Sequence, residues 1–242
     1  MDLGEQMLLA GAEVHRVEDG LYRILSAYGA KRTDVFIITS SMVVTVHTKD
    51  GEIFTQTRRI RETSADYEKL HRLNELSRLL CRTPLSPEEI RDRLDKISEA
   101  KPYPLWLLFL CYATIAGVFT LFFGGGMLEA AISFIIGAVV RGVILLCDRS
   151  LTNRIFTKFA ASLCVTVLAF LAINLGSGYP ADKIIIGNIM PLIPGIGLTT
   201  ALKDLLMGDS IAGLLRTIEA CIAALAIAAG YFAAGFFFGG AL

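Results

Sequence analysis

Apolar and polar positions change their pattern near residue 102. Before it, apolar side chains recur at intervals between charged ones; after it, they run together over whole helix lengths. In the first stretch Met7, Val14, Leu21 and Tyr28 are seven apart, and Leu3, Ala10, Val17 and Ile24 interleave with them. This spacing predicts one amphipathic helix over 3–28 with a narrow stripe, stopped by Gly29. Residues 34–47 are rich in β-branched side chains, Asp50-Gly51 is a turn signal, and 52–58 alternates again. A hairpin follows, with three strands if the chain breaks at Ser40-Ser41. Apolar residues on both faces of 35–46 predict that helices cover it. Tyr67, Leu70, Leu73, Leu76 and Leu80 mark a helix over 64–82. Ser86-Pro87-Glu88-Glu89 starts another, with an N-cap, a first-turn proline and a capping-box glutamate, and Ile90, Leu94 and Ile97 line it.

Beyond Lys101-Pro102 the runs match bilayer crossings. Spans are expected near 103–123, 128–147, 155–175, 184–206 and 211–238, the last about 42 Å long if fully helical. Lys101, Tyr103 and Trp106 are candidate interfacial anchors. The expected fold is an α-helical integral membrane protein with five transmembrane spans, the fourth broken. A small cytoplasmic α+β domain (1–102) precedes the transmembrane domain (103–242).

Charge follows the same division. The 242 residues are 54% hydrophobic and 19% charged, with mean hydropathy +0.57, and 23 basic residues balance 23 acidic ones. Residues 1–102 hold 16 of the basic and 17 of the acidic residues and all three histidines; the rest of the chain holds 7 and 6. No one-sided excess supports nucleic-acid binding, and five cysteines form no disulfide framework. Outside the spans, Lys and Arg concentrate in the first domain, at Arg149 and Arg154 with Lys158 just inside, and at Lys203 followed by Arg216. The loop between spans one and two has none, and that between spans three and four only Lys183. The positive-inside rule puts the first domain, the Arg149/Arg154 loop and the Lys203 side in the cytoplasm, which leaves the N-terminus inside and the C-terminus outside. The N-terminus carries no signal-peptide pattern.

The fourth span carries the most informative pattern. Asn188, Pro191, Pro194, Gly195, Gly197, Thr199 and Thr200 lie within thirteen residues. Two prolines and these glycines prevent one straight helix. Broken backbone at membrane depth must be buried or line a wet cavity, and half-helix N-termini there bind anionic groups such as a carboxylate. These residues are the candidate substrate site. Arg141, Asn174, Lys203, Asp204, Arg216 and Glu219 are further candidates for pathway or coupling roles. Arg216 and Glu219 are three apart and able to pair on one helix face. Ala138-x-x-x-Gly142 and Gly235-x-x-x-Gly239 suggest helix packing. In the first domain Glu13, His15, Arg16 and Glu18 cluster with Asp19. His15 and Asp19 could share a metal, but a solvated face with helix ion pairs is the simpler reading. No HExxH, CxxC, Walker loop or GxSxG occurs, so no catalytic residue, metal or cofactor is expected.

Ala10-Gly11-Ala12-Glu13-Val14-His15-Arg16-Val17-Glu18, the hairpin, Pro191-Leu-Ile-Pro194-Gly195-Ile-Gly197-Leu and Lys203-Asp204-Leu-Leu-Met-Gly208-Asp209 together resemble the threonine/serine exporter family of bacterial membrane proteins. The resemblance spans almost the whole chain. It implies a secondary-active, proton-coupled exporter of small metabolites such as threonine and serine in the bacterial cytoplasmic membrane. A split-subunit branch is associated with succinate export. Longer, fused members carry a second set of spans, whereas this chain stops at Leu242 and so resembles the larger subunit of the split form. Its expected partner is a smaller membrane subunit, with a homo-oligomer as the competing solution. A membrane-anchored enzyme or a sensor using the N-terminal domain is the alternative of another class.

Overall fold

The computed structural model describes residues 1–61, 65–99, 103–150, 153–174 and 181–237. The expected boundary at Lys101-Pro102, Gly239 and the residues after the last span lie outside these. The chain divides into two compact units. One comprises Met1–Lys101 with Ile196–Thr217, the other Pro102–Gly195 with Ile218–Leu242.

The first unit opens with α1 (Asp2–Leu9) and α2 (Val14–Ala27). The apolar repeat runs through both, but the helix does not. Gly11 sits at φ 91°, in the left-handed region that favours glycine, and the backbone turns there before α2 restarts at Val14. The expected single helix over 3–28 is therefore two. Strands β1 (Arg32–Ile38), β2 (Ser41–His47) and β3 (Ile53–Arg59) form an antiparallel sheet in that order. Ile37 pairs with Met42 and Val35 with Val44, which places these side chains on one face. That face is covered: Ile37, Met42 and Val44 join Val14, Val17 and Leu21 of α2 in the core. On the other face Phe36 and Ile53 are exposed among the described residues. Helices α3 (Tyr67–Arg82) and α4 (Pro87–Ser98) complete the N-terminal part. Leu73 and Leu80 enter the same core, and Ser86 and Glu89 close the capping box at the start of α4.

The remainder of this unit is α9 (Gly195–Met207) from Ile196 onward and the start of α10 (Ser210–Phe237), up to Thr217. Gly208, at φ 99°, ends α9 and lets the chain reverse. Ala212 of α10 is buried in the core that α1 to α4 build.

The second unit contains α5 (Leu105–Phe122), α6 (Met127–Arg149), α7 (Arg154–Ala172), α8 (Ala181–Ile189), a 3₁₀ turn (Met190–Leu192) and the rest of α10. Helix α8 lies so close to α5 that a Cβ on Gly187 would run into Thr120 and come 2.8 Å from the Ala116 carbonyl oxygen. Only glycine fits there. On α6 the close approach is made by Gly137, 2.8 Å from the Tyr112 carbonyl by the same measure. At Gly142, in the expected packing motif, a Cβ would make ordinary contact at 3.7 Å with Phe109.

Among the described residues, four helices are long and apolar enough to cross a membrane: Leu105–Phe122, Met127–Arg149, Arg154–Ala172 and Ser210–Phe236. The pair Ala181–Leu192 and Gly195–Met207, bent by 52°, makes a fifth if it counts as one span. The chain is thus mostly helical, with four or five candidate spans and a small three-stranded sheet.

Candidate functional site

The break follows from its two prolines. Pro191 cannot donate to the carbonyl four residues back, so α8 tightens into the 3₁₀ turn Met190–Leu192. Ile193 precedes Pro194 and is held extended, at φ −67° and ψ 129°. Its N–H bonds to the Met190 carbonyl at 3.3 Å, and Gly195 N–H bonds to the Ile193 carbonyl at 2.8 Å. The Leu192 carbonyl would accept from residue 196 in a continuous helix. Instead it accepts from the Lys158 ammonium of α7 at 2.7 Å. Lys158 is half-buried, and no carboxylate among the described residues compensates it. Sequence reasoning did not single out Lys158, which lies one turn after the start of α7.

Asn188, one turn before the prolines, is 2% exposed. Its amide Nδ2 donates to the Ile184 carbonyl of its own helix at 2.9 Å, while its Oδ1 is buried with no partner among the described residues. Pro191 and Pro194 are half-buried and Gly195 is exposed; a Cβ added at Gly195 would meet nothing within 4 Å. Elsewhere in this unit the Arg141 guanidinium lies over the Tyr112 ring, 5.4 Å from its centroid, and its Nε is buried without a hydrogen-bond partner among the described residues. Asn174 and Glu219 are exposed. Sequence reasoning missed a buried polar group between α5 and α6: Thr120 Oγ1 lies 2.7 Å from Ser133 Oγ, and the buried Glu129 accepts from the Gly126 N–H.

Within the first unit, residues far apart in sequence meet at the turn between α1 and α2. Lys203 Nζ pairs with Glu13 at 2.9 Å, with Lys203 58% and Glu13 35% exposed. Arg216 pairs with Asp204 at 2.9 Å, and here both side chains are largely buried, at 13% and 1% exposed. The same guanidinium donates to the Ala12 carbonyl at 3.0 Å. The Val14 amide at the start of α2 also faces the Asp204 carboxylate, a favourable place for an anion. Arg216 is thus committed to Asp204, not to Glu219. Gly197 and Thr199 are exposed, and Thr200 donates to the Ile196 carbonyl of its own helix at 3.0 Å.

The N-terminal cluster separates by role. Glu18 accepts from the Ile37 N–H at 3.0 Å, tying α2 to β1. Burial first, and the nearby negative charge of Asp209 second, push its carboxyl above the usual range. Asp19 pairs with Arg23 at 2.9 Å, one turn along the helix. His15 and Arg16 are exposed. His15, Glu18, Asp19, Tyr22, Thr33, Asp34 and Val35 line an open pocket of about 410 Å³. Among the described residues, no group of three or more His, Cys, Asp or Glu side chains is placed to hold a metal ion.

Apolar helices able to cross a bilayer, one pair bent between two prolines, make this a multi-pass α-helical membrane protein of the transporter class. The chain belongs to the threonine/serine exporter family: residues 1–238 match the family described as "ThrE: Putative threonine/serine exporter". Among curated relatives, the "Probable succinate transporter subunit YjjP" of Klebsiella aerogenes is 27% identical over 93% of this chain and 86% of its own length. The protein of the same description in Escherichia coli is 26% identical over 93% and 87%. The "Probable threonine/serine exporter" of Mycobacterium tuberculosis is 24% identical over 94% of this chain, which spans only 43% of that relative. No solved structure matches the chain.

Proposed function

We propose that this chain is a subunit of a secondary-active, proton-coupled exporter of small carboxylate-bearing metabolites, threonine and serine foremost. The observation that carries the reading is the 52° break between Pro191 and Pro194, in a chain of an exporter family. Broken spans serve transporters because half-helix ends and freed backbone groups bind substrate ends that an intact helix cannot. In this reading five spans cross the bacterial cytoplasmic membrane, with residues 1–102 inside and the C-terminus outside. Asn188 and the stretch from Pro191 through Thr200 serve the substrate, while Lys203, Asp204 and Arg216 hold the joint beside Glu13. The transport roles of His15, Arg16, Glu18, Arg141, Asn174 and Glu219 are secondary. The chain acts as a carrier, not as an enzyme, and pairs with a smaller membrane subunit.

A dicarboxylate is the second reading. It is favoured because the relatives matched over most of their own length are described as succinate transporter subunits. The test is counterflow in proteoliposomes loaded with unlabelled threonine, serine or succinate, with the chain alone and with the partner subunit. Labelled threonine or serine should accumulate, fully only with the partner, and Pro191→Ala should abolish accumulation while leaving membrane insertion intact. Succinate-only accumulation would select the second reading. Failure of every carboxylate in the presence of the partner would overturn both.

A further inference from the structure

We propose that Lys158 is the group that receives the substrate's carboxylate, in exchange for the Leu192 carbonyl it holds in this structure. The inference rests on the transport reading above and names the residue that the reading leaves open.

An ammonium has three N–H donors, and the one bond given to Lys158 is to a neutral main-chain oxygen. A compact, strongly hydrated cation at membrane depth is costly without a counter-charge. The other candidate cations are committed. Lys183 holds Asp182 at 3.1 Å, Lys203 holds Glu13, Arg216 holds Asp204, and Arg141 lies over Tyr112. Lys158 has no such compensation among the described residues, and it stands at the break itself. A carboxylate is a stronger acceptor for an ammonium than a peptide carbonyl is. A substrate carboxylate arriving at the break therefore displaces Leu192. Leu192 is the last residue of the 3₁₀ turn, so its release removes the tether between α7 and the inner end of α8. Occupancy of the site and the angle of the bend are coupled through one side chain.

A purely structural clamp would use the same bond, and the experiment separates the two. The full chain with its partner subunit is reconstituted, and KM and Vmax for threonine are measured beside inhibition by threoninamide, which lacks the carboxylate. Lys158→Gln should raise the threonine KM at least tenfold and leave threoninamide inhibition unchanged. An unchanged threonine KM, or equal weakening of threonine and threoninamide, would overturn the inference while the transport reading stands. Absence of carboxylate transport by the unmodified protein would sink both. In a chain whose five native cysteines are replaced by alanine, Lys158→Cys, before and after aminoethylation of the new thiol, gives the check should the glutamine variant assemble poorly. Preference for threonine over threoninamide should return only on aminoethylation, and a preference indifferent to it would overturn the inference.

Discussion

Two polar places where the described chain leaves regular helix, the α1–α2 turn and the break after α8, are built on opposite plans. At the α1–α2 turn the charges are matched: Glu13 with Lys203, Asp204 with Arg216, and the Ala12 carbonyl with the same arginine. At the break after α8 they are not. Lys158 holds a neutral oxygen, and Asn188 keeps a buried acceptor unpaired among the described residues. Opposite charges in contact fix one geometry and resist change; a cation resting on a neutral oxygen holds its elements together while leaving room for an anion to complete it. The first place reads as a joint, the second as a site.

Arg216 is where the joint is most vulnerable. Arg216→Met leaves Asp204 buried and unpaired, which should cost about 3–5 kcal/mol in thermal or denaturant unfolding of the purified protein. Adding Asp204→Leu should recover most of that loss, because an apolar pair replaces a stranded charge. A single variant as stable as the parent would show that the joint is not held this way.

Asn188→Leu probes the other plan. It removes one local hydrogen bond, worth about 1 kcal/mol, together with an unsatisfied buried acceptor, so the melting temperature should hold or rise slightly. Threonine counterflow should nevertheless fall at least tenfold. A large drop in melting temperature would mean that Asn188 serves to hold the break together. Lys203→Ala tests the exposed pair of the joint. Its cost should stay below about 1 kcal/mol and shrink further in high salt.

The smallest effect concerns pH. The Glu18 carboxyl holds its proton more tightly in the folded chain than in the unfolded one, because burial and Asp209 disfavour its charge. Its contribution is therefore present in acid and is lost as pH rises above about 4.5, the ordinary value for a glutamate. Glu18→Gln retains an acceptor for the Ile37 N–H. The slope of the melting temperature against pH should flatten above pH 4.5, and an unaltered slope would contradict the assignment.

The long apolar helices, the sheet and the break were legible because they rest on local pattern: runs of apolar residues, β-branched strands, and prolines that remove helix bonds wherever they stand. The α1–α2 turn was not. Ala10 and Gly11 sit on or beside an apolar repeat that continues in register through it, so periodicity alone reports one helix. The pairs were hidden for a different reason. Glu13 and Lys203 are 190 residues apart, and Lys158 and Leu192 are 34 apart. Both meet only through the fold. Sequence marked Arg216 as an intramembrane charge and offered Glu219, three residues on; the partner it takes, Asp204, lies on the preceding helix. Helix spacing identifies neighbours along one helix and says nothing of the helix beside it.

The makeup of the first unit also imposes an order on biosynthesis. Its N-terminal part ends at Lys101, but the unit is complete only when Thr217 has been made. At roughly 5–20 residues per second, a ribosome takes about 6–23 s to deliver the intervening stretch. Throughout that delay the Ala12 carbonyl and the Glu13 carboxylate have neither Arg216 nor Lys203, and the cavity that Ala212 fills stands empty. The nascent chain must pass through a stage with an unfinished core while membrane helices are still emerging behind it, and that interval is where a holding chaperone would have work to do.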